Sequence, residues 1–193
     1  DTAFLTNAYL ADTAPREGSN WFAHLTYLRP HPPLVAPAPY NSRYDPKKIP
    51  LPQRRNSQTL EDAMHPFFAP MFEDTTPQSF VSGFPNLETN DDMVQALRAV
   101  YLGLASEVDH HIGRVINDLK QTGSYEDTLV IITADHGEML GDRYAWGKMS
   151  VYDAAYHTPL IIRAPQLQAR AGMLVDLQTE SVDIAPTILD WIE

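Results

Sequence analysis

Between Thr89 and Lys120 apolar residues recur at threes and fours: Val94, Leu97, Tyr101, Leu104, Val108, Ile112, Val115 and Leu119. That period predicts one long amphipathic helix, with Thr89 or Asn90 as N-cap and Gly123 as its stop. The pattern then changes. DTLVIITAD, Asp127 to Asp135, is too short for a helix and too continuous for a half-exposed strand, so it predicts a central parallel strand covered on both faces. A second such run, PLIIRAP, follows Thr158, and a closing helix is predicted from about Asp183 to Ile192. Near the start, Phe4, Leu5, Ala8 and Tyr9 have helical spacing, the polar stretch Thr13 to Asn20 breaks it, and NWFAHLTYL reads as a strand ending at Arg29-Pro30.

Proline alters this picture between Pro30 and Asn86, which hold 12 of the 16 prolines in the chain. Proline removes backbone donors and steers its predecessor out of the α region, so residues 30–86 should form a long, largely irregular loop, most simply a cover over a site. The elements on either side predict an α/β fold, a sandwich with at least part of its sheet parallel and helices flanking it. With 193 residues and 44% hydrophobic content, the chain suffices for one domain or most of one.

Charge and cysteine content narrow the function classes. Lys+Arg 14 against Asp+Glu 25 leaves a net charge of -11, which repels nucleic-acid backbones and anionic membranes, and the basic clusters Lys47-Lys48 and Arg54-Arg55 are too short to reverse it. No run reaches the roughly 18 apolar residues of a membrane span. The absence of cysteine excludes disulfides, zinc ribbons and thiol nucleophiles within the segment, but leaves the compartment open, with a cytoplasmic location slightly favoured. The first residues lack the basic region of a signal peptide, and the lack of an initiator Met reads as a piece of a longer protein.

Candidate chemistry gathers where predicted strands end, the usual place for ligands in open α/β sheets. Asp135 and His136 follow TLVIIT, and His31 follows NWFAHLTYL within RPHPP. Adjacent strand residues face opposite ways, so Asp135 and His136 can meet at one ion only if the chain turns, for which Gly137 supplies the freedom. An oxygen with an imidazole nitrogen suits manganese, zinc or iron better than calcium, yet two ligands are too few for a divalent ion. Alternatively, Asp135 caps the turn and His136 packs on it. Lys148 in WGK does not end a phosphate-binding loop, since Gly141 to Gly147 is one residue too long and Met149 stands where Ser or Thr would bind magnesium. It is either a point charge for an ester oxyanion or a solvated surface lysine. His31, hemmed in by Pro30, Pro32 and Pro33, is either a rigidly placed proton donor or a structural residue.

Other polar residues read as structure. Asp109, His110 and His111 point different ways from one helix, His24, His65 and His157 have no partner at ligand spacing, and Glu138 and Asp142 are expected to face solvent, with support of the metal ligands as the lesser alternative. Neither a G-x-S-x-G elbow nor an H-E-x-x-H motif is present.

DTLVIITADHGEMLGDRYAWGK, then YHTPLIIRAP and SVDIAPTILDW, resembles the C-terminal two-thirds of a sulfatase-type member of the alkaline phosphatase superfamily. WFAHLTYLRPHPPLVAPAPY narrows the resemblance toward the phosphonate monoester hydrolases. It implies an alkaline phosphatase-like sandwich with a largely parallel central sheet, with residues 1–193 as one portion of a catalytic domain. It also implies that Asp135 and His136 are the late pair of metal ligands, Lys148 the active-site lysine, and His31 the histidine that contacts the reacting ester. One divalent ion is implied, Mn2+ favoured, with Ca2+, Mg2+ or Zn2+ as alternatives. The family's early aspartate pair and its formylglycine nucleophile, made from the Cys or Ser of C/S-x-P-x-R, have no counterpart here and are expected upstream. Arg143 departs from the histidine that many relatives carry after G-D.

The implied reaction is hydrolysis of a small-molecule phosphonate, phosphate or sulfate ester, with neither nucleic acid nor membrane as partner and a homo-oligomer as one allowed assembly. The competing reading is a non-catalytic sulfatase-like fragment that serves as an interaction module.

Overall fold

The computed structural model describes residues 20–73 and 76–192, so the helix-like spacing at Phe4 to Tyr9 lies outside the described residues. Its elements are helices α1 (Gln58–Asp62), α2 (Phe68–Glu73) and α3 (Asp91–Gln121), strand β1 (Val130–Thr133), helix α4 (Asp153–Tyr156), strand β2 (Leu160–Arg163) and helix α5 (Ile184–Ile192). Short 3-10 turns punctuate the connections.

Helix α3 forms where the spacing places it. The Asn90 side chain accepts the Met93 N–H, Asp91 and Asp92 complement the helix dipole in the first turn, and Gly123 follows the helix in the left-handed region with φ 74°. Of its predicted apolar face, Val94, Leu97, Leu104, Val115 and Leu119 are buried. Val94 and Leu104 are fully inaccessible, and they join Leu34, Phe80, Leu97 and Trp146 in one hydrophobic cluster.

That cluster changes the meaning of the proline-rich segment. The described residues between 30 and 86 contain no strand and only short helical pieces, as the prolines dictate. The segment expected as a cover nevertheless supplies the core with Leu34 and Phe80 and packs two 3-10 turns, Tyr40–Ser42 and Pro46–Lys48, along α3. Gly103 makes the first contact feasible, because a Cβ there would lie 2.3 Å from the Tyr40 carbonyl oxygen.

The sheet differs from expectation. β1 and β2 pair antiparallel, with Val130 opposite Arg163 and Thr133 opposite Leu160, and they form a two-stranded sheet. A parallel pair needs a crossover, usually a helix, of a dozen or more residues. Here the connection from Ala134 to Pro159 holds only the 3-10 turn Asp142–Tyr144 and the four-residue α4, neither long enough to cross the sheet, and it returns the chain antiparallel. β1 is half-buried, and Ile161 and Ile162 on β2 are exposed, so among the described residues neither strand is covered on both faces. The predicted strand over residues 20–28 alternates half-buried Trp21, Ala23, Leu25 and Tyr27 with exposed neighbours, but pairs with no other described segment. Helix α5 occupies the predicted closing position, after a capping box made by Glu180 and Asp183. No described helix is long and apolar enough to cross a membrane.

Candidate functional site

The site begins where β1 releases the chain. Past Thr133 the backbone is caught by the segment around α4: the Gly137 N–H donates to the Ala155 carbonyl at 2.7 Å and the Glu138 N–H to the Ala154 carbonyl at 2.8 Å. This closeness is the reason for a glycine. A Cβ on Gly137 would lie 2.1 Å from the Ala154 oxygen, whereas Gly137 is not among the residues with positive φ. The expected freedom to turn is therefore replaced by a requirement for space.

His136 is pinned between two neighbours. Its Nδ1 lies 2.7 Å from the Gly137 carbonyl, which can only accept, so Nδ1 carries the proton and Nε2 presents its lone pair. Nε2 accepts from the Lys148 ammonium at 2.8 Å and lies 3.4 Å from Oδ2 of Asp135. Asp135 also turns its Oδ1 back to the His136 N–H at 3.1 Å. Three of the four predicted residues thus meet at one point on the surface, with the Asp135 side chain 85% exposed and that of His136 27% exposed. The splayed arrangement that a straight strand would impose does not occur.

His31 stands apart from this trio. Its N–H donates to Leu28 and its Nδ1 lies 2.8 Å from the Pro32 carbonyl, so the ring is fixed by its own turn. Among the described residues no hydrogen bond or ion pair links it to Asp135, His136 or Lys148.

The loop between His136 and Lys148 folds back on itself. The Met139 N–H donates to the Gly147 carbonyl at 3.0 Å. Leu140, Arg143 and Tyr144, with φ of 46°, 56° and 65°, occupy the left-handed region that non-glycine residues rarely adopt. Surrounding contacts hold them there. Arg98 of α3 reaches across to the Leu140 carbonyl at 2.9 Å, the Pro50 carbonyl at 3.1 Å and Oδ1 of Asp142 at 2.5 Å. The same Asp142 oxygen accepts the Gln53 N–H at 2.8 Å, and the Tyr144 hydroxyl donates to the Arg55 carbonyl at 3.0 Å.

Asp142 therefore does not face solvent as expected, and neither does Glu138. Glu138 is half-buried, and its Oε1 accepts from the Gly147 N–H at 2.6 Å and the Leu140 N–H at 3.2 Å. Burial pushes its pKa up, against the opposing pull of those backbone donors and of nearby His136. The one sequence signal for this was alternation: in extended chain Glu138 shares a face with His136. Nothing local marked Arg98, one polar residue on a long helix.

As a metal centre the trio supplies part of a shell. Asp135 offers an oxygen and His136 a nitrogen whose tautomer is set for coordination, the kind of carbonyl anchor that metal-bound imidazoles use. Among the described residues no group of three or more His, Cys, Asp or Glu that could hold an ion is present. The donor chemistry fits a divalent ion, and the donor number is half of what such an ion requires.

The chain is similar to known proteins along its whole length. The sulfatase family model matches residues 1–193. The chain is 37% identical to the multifunctional alkaline phosphatase superfamily protein PehA of Trinickia caryophylli, over all of this chain and 38% of that one. In structure it is similar to the phosphonate monoester hydrolase SpPMH of Silicibacter pomeroyi, with 64% identity and a TM-score of 0.93 over 100% of this chain and 38% of that one. It is also similar to the phosphonate monoester hydrolase of Agrobacterium radiobacter, with 37% identity and a TM-score of 0.89 over 99% and 38%. These neighbours assign the α/β, alkaline phosphatase-like fold. The chain spans 38% of the length of these relatives, a smaller share than the two-thirds that the resemblance implied. With its whole length matched, the chain belongs to the sulfatase family.

Proposed function

We propose that this chain is the portion of a metal-dependent ester hydrolase that carries Asp135, His136 and Lys148, and that its substrates are small phosphonate or phosphate monoesters, phosphate diesters or sulfate esters. The observation that carries the reading is the convergence of Asp135 Oδ2, His136 Nε2 and the Lys148 ammonium, 3.4 and 2.8 Å apart, as the chain leaves β1. Similarity to proteins named phosphonate monoester hydrolase supports the ester class and disfavours the interaction-module reading. In the complete protein, further strands would extend β1 and β2 into a largely parallel central sheet.

Asp135 and His136 would hold one divalent ion, Mn2+ favoured and Ca2+, Mg2+ or Zn2+ as alternatives, together with ligands from outside this chain. When bound, the ion supplies Lewis-acid stabilisation of a non-bridging ester oxygen and lowers the pKa of the attacking hydroxyl. That hydroxyl belongs to a hydrated formylglycine, also outside this chain. The residues present divide the remaining work. Gly137 fixes the His136 tautomer through its carbonyl, so the ring enters coordination without a proton to lose from Nε2. A single lone pair serves one partner, so with an ion at Nε2 the Lys148 ammonium would be free to offset negative charge on the ester as a point charge. His31 has its Nδ1 proton engaged by the Pro32 carbonyl, so it would donate to the oxygen of the leaving group through Nε2, as the imidazolium.

The test uses the full-length protein. It should bind about one divalent ion per subunit and hydrolyse at least one member of a panel of nitrophenyl phosphonates, phosphates and sulfates, and Asp135→Ala should lose both properties. Retention of the ion in that variant rejects the assignment.

A further inference from the structure

We propose that Glu138 is a positioning residue for the lysine of this site: its carboxylate ties the Gly147 backbone to the strand exit and thereby holds the Lys148 backbone beside Asp135 and His136, within reach of the ester. The inference rests on the hydrolase reading for its catalytic consequence, but the tie itself is a matter of geometry.

Lys148 is twelve residues from His136 in the chain, and its side chain is exposed. Such a lysine has no packing to hold it, so its position depends on its backbone. The neighbouring Gly147 is held on two sides: its carbonyl accepts the Met139 N–H at 3.0 Å, and its N–H donates to Glu138 Oε1 at 2.6 Å. Oε1 also takes the Leu140 N–H at 3.2 Å, so a single oxygen closes both ends of the loop. Glu138 is itself anchored, because its N–H donates to the Ala154 carbonyl at 2.8 Å. A continuous path of short contacts thus runs from the α4 segment through Glu138 and Gly147 to Lys148, two residues from His136 at its start.

The loop so closed is under conformational load. Leu140, Arg143 and Tyr144 hold left-handed backbone that relaxes when the surrounding contacts are removed. Gly147, with φ 76°, is free to adopt other conformations once its N–H is released. A carboxyl oxygen can take both the Gly147 and the Leu140 N–H at once, and it is this shared acceptor that joins the two ends of the loop. A neutral amide of the same shape keeps the acceptor and part of the tie, whereas an apolar side chain of similar volume keeps the packing and loses it.

The experiment compares Glu138→Gln, Glu138→Met and Lys148→Ala, with the double variant Glu138→Met/Lys148→Ala, in the full-length protein. Hydrogen exchange at the Gly147 amide, followed by mass spectrometry, should accelerate at least about tenfold in Glu138→Met and much less in Glu138→Gln, with residues 130–133 unchanged. Displacement of a catalytic group by about 1 Å commonly costs a hundredfold. Glu138→Met should therefore lower kcat by about 10- to 100-fold with bound metal retained, Glu138→Gln should recover most of it, and Glu138→Met should cost less than about twofold when Lys148 is already alanine. Unchanged exchange at Gly147, or a loss fully additive with Lys148→Ala, overturns the proposal. If the unsubstituted protein hydrolyses none of the esters, the hydrolase reading fails, and the exchange measurement still decides whether Glu138 holds the loop.

Discussion

Gly137→Ala tests whether the strand exit is as close-packed as its geometry demands. The added methyl carbon would sit 2.1 Å from the Ala154 oxygen and 3.0 Å from its carbonyl carbon, both backbone atoms. Restoring ordinary contact requires a retreat of about 1 Å or more by a main-chain segment. That movement stretches the hydrogen bonds of 2.7 and 2.8 Å from Gly137 and Glu138 to Ala155 and Ala154. Each is worth about 1 kcal/mol net, and overpacking adds roughly 1–3 kcal/mol, so a destabilisation of about 3–5 kcal/mol is expected. Because His136 precedes the moved residue, activity should fall by about a hundredfold even where the variant remains folded. The assay is denaturant unfolding of the full-length protein, with ester hydrolysis measured alongside. Gly113→Ala is the matched control: it lies inside α3 with nothing within 4 Å of the added carbon, and should stabilise by about 0.5–1 kcal/mol. Equal unfolding midpoints for Gly137→Ala and the unsubstituted protein would refute the reasoning.

Two further outcomes follow from contacts around the site. Arg98→Ala removes the donor to Leu140, Pro50 and Asp142 and leaves Asp142 without its cation, so the unfolding free energy should drop by about 2–4 kcal/mol; Arg98→Lys should not restore it, because an ammonium cannot reproduce the fork. Tyr101 has its pKa raised by burial and, secondarily, by the Glu138 charge. The unfolded chain therefore releases that proton first, near the ordinary 10.0, so this contribution to stability is complete below that pH and is lost as pH rises through the higher folded value. Urea midpoints of Tyr101→Phe measured at about pH 8 and pH 11 should show a smaller alkaline loss than the parent, and an equal loss would contradict the assignment.

Periodic and local features were legible in the sequence because neighbouring residues determine them. The Asp-His-Gly exit and Lys148 stood out as candidates through the family resemblance, whereas the threes and fours of Val94 to Leu119 specify α3 and the apolar run before Asp135 specifies β1. Each depends on chain geometry over one or two turns. What remained hidden depends on which distant segment arrives at a given surface. The antiparallel partner of β1, the Ala154 carbonyl that demands Gly137, and the Arg98 guanidinium that holds Asp142 all come from elsewhere in the fold. Burial works in the same way: Glu138 looks like a solvent-facing acid until Gly147 and Leu140 close over it, and the proline-rich segment looks like a cover until Leu34 and Phe80 reach α3. Sequence by itself determined helix α3, the β1 and β2 runs and the closing helix, because short-range sterics and periodicity act within a segment, and the family resemblance singled out Asp135, His136 and Lys148 as candidates. Only the tertiary structure decided how those residues are held, because hydrogen-bond satisfaction and close packing are properties of segments that meet in space.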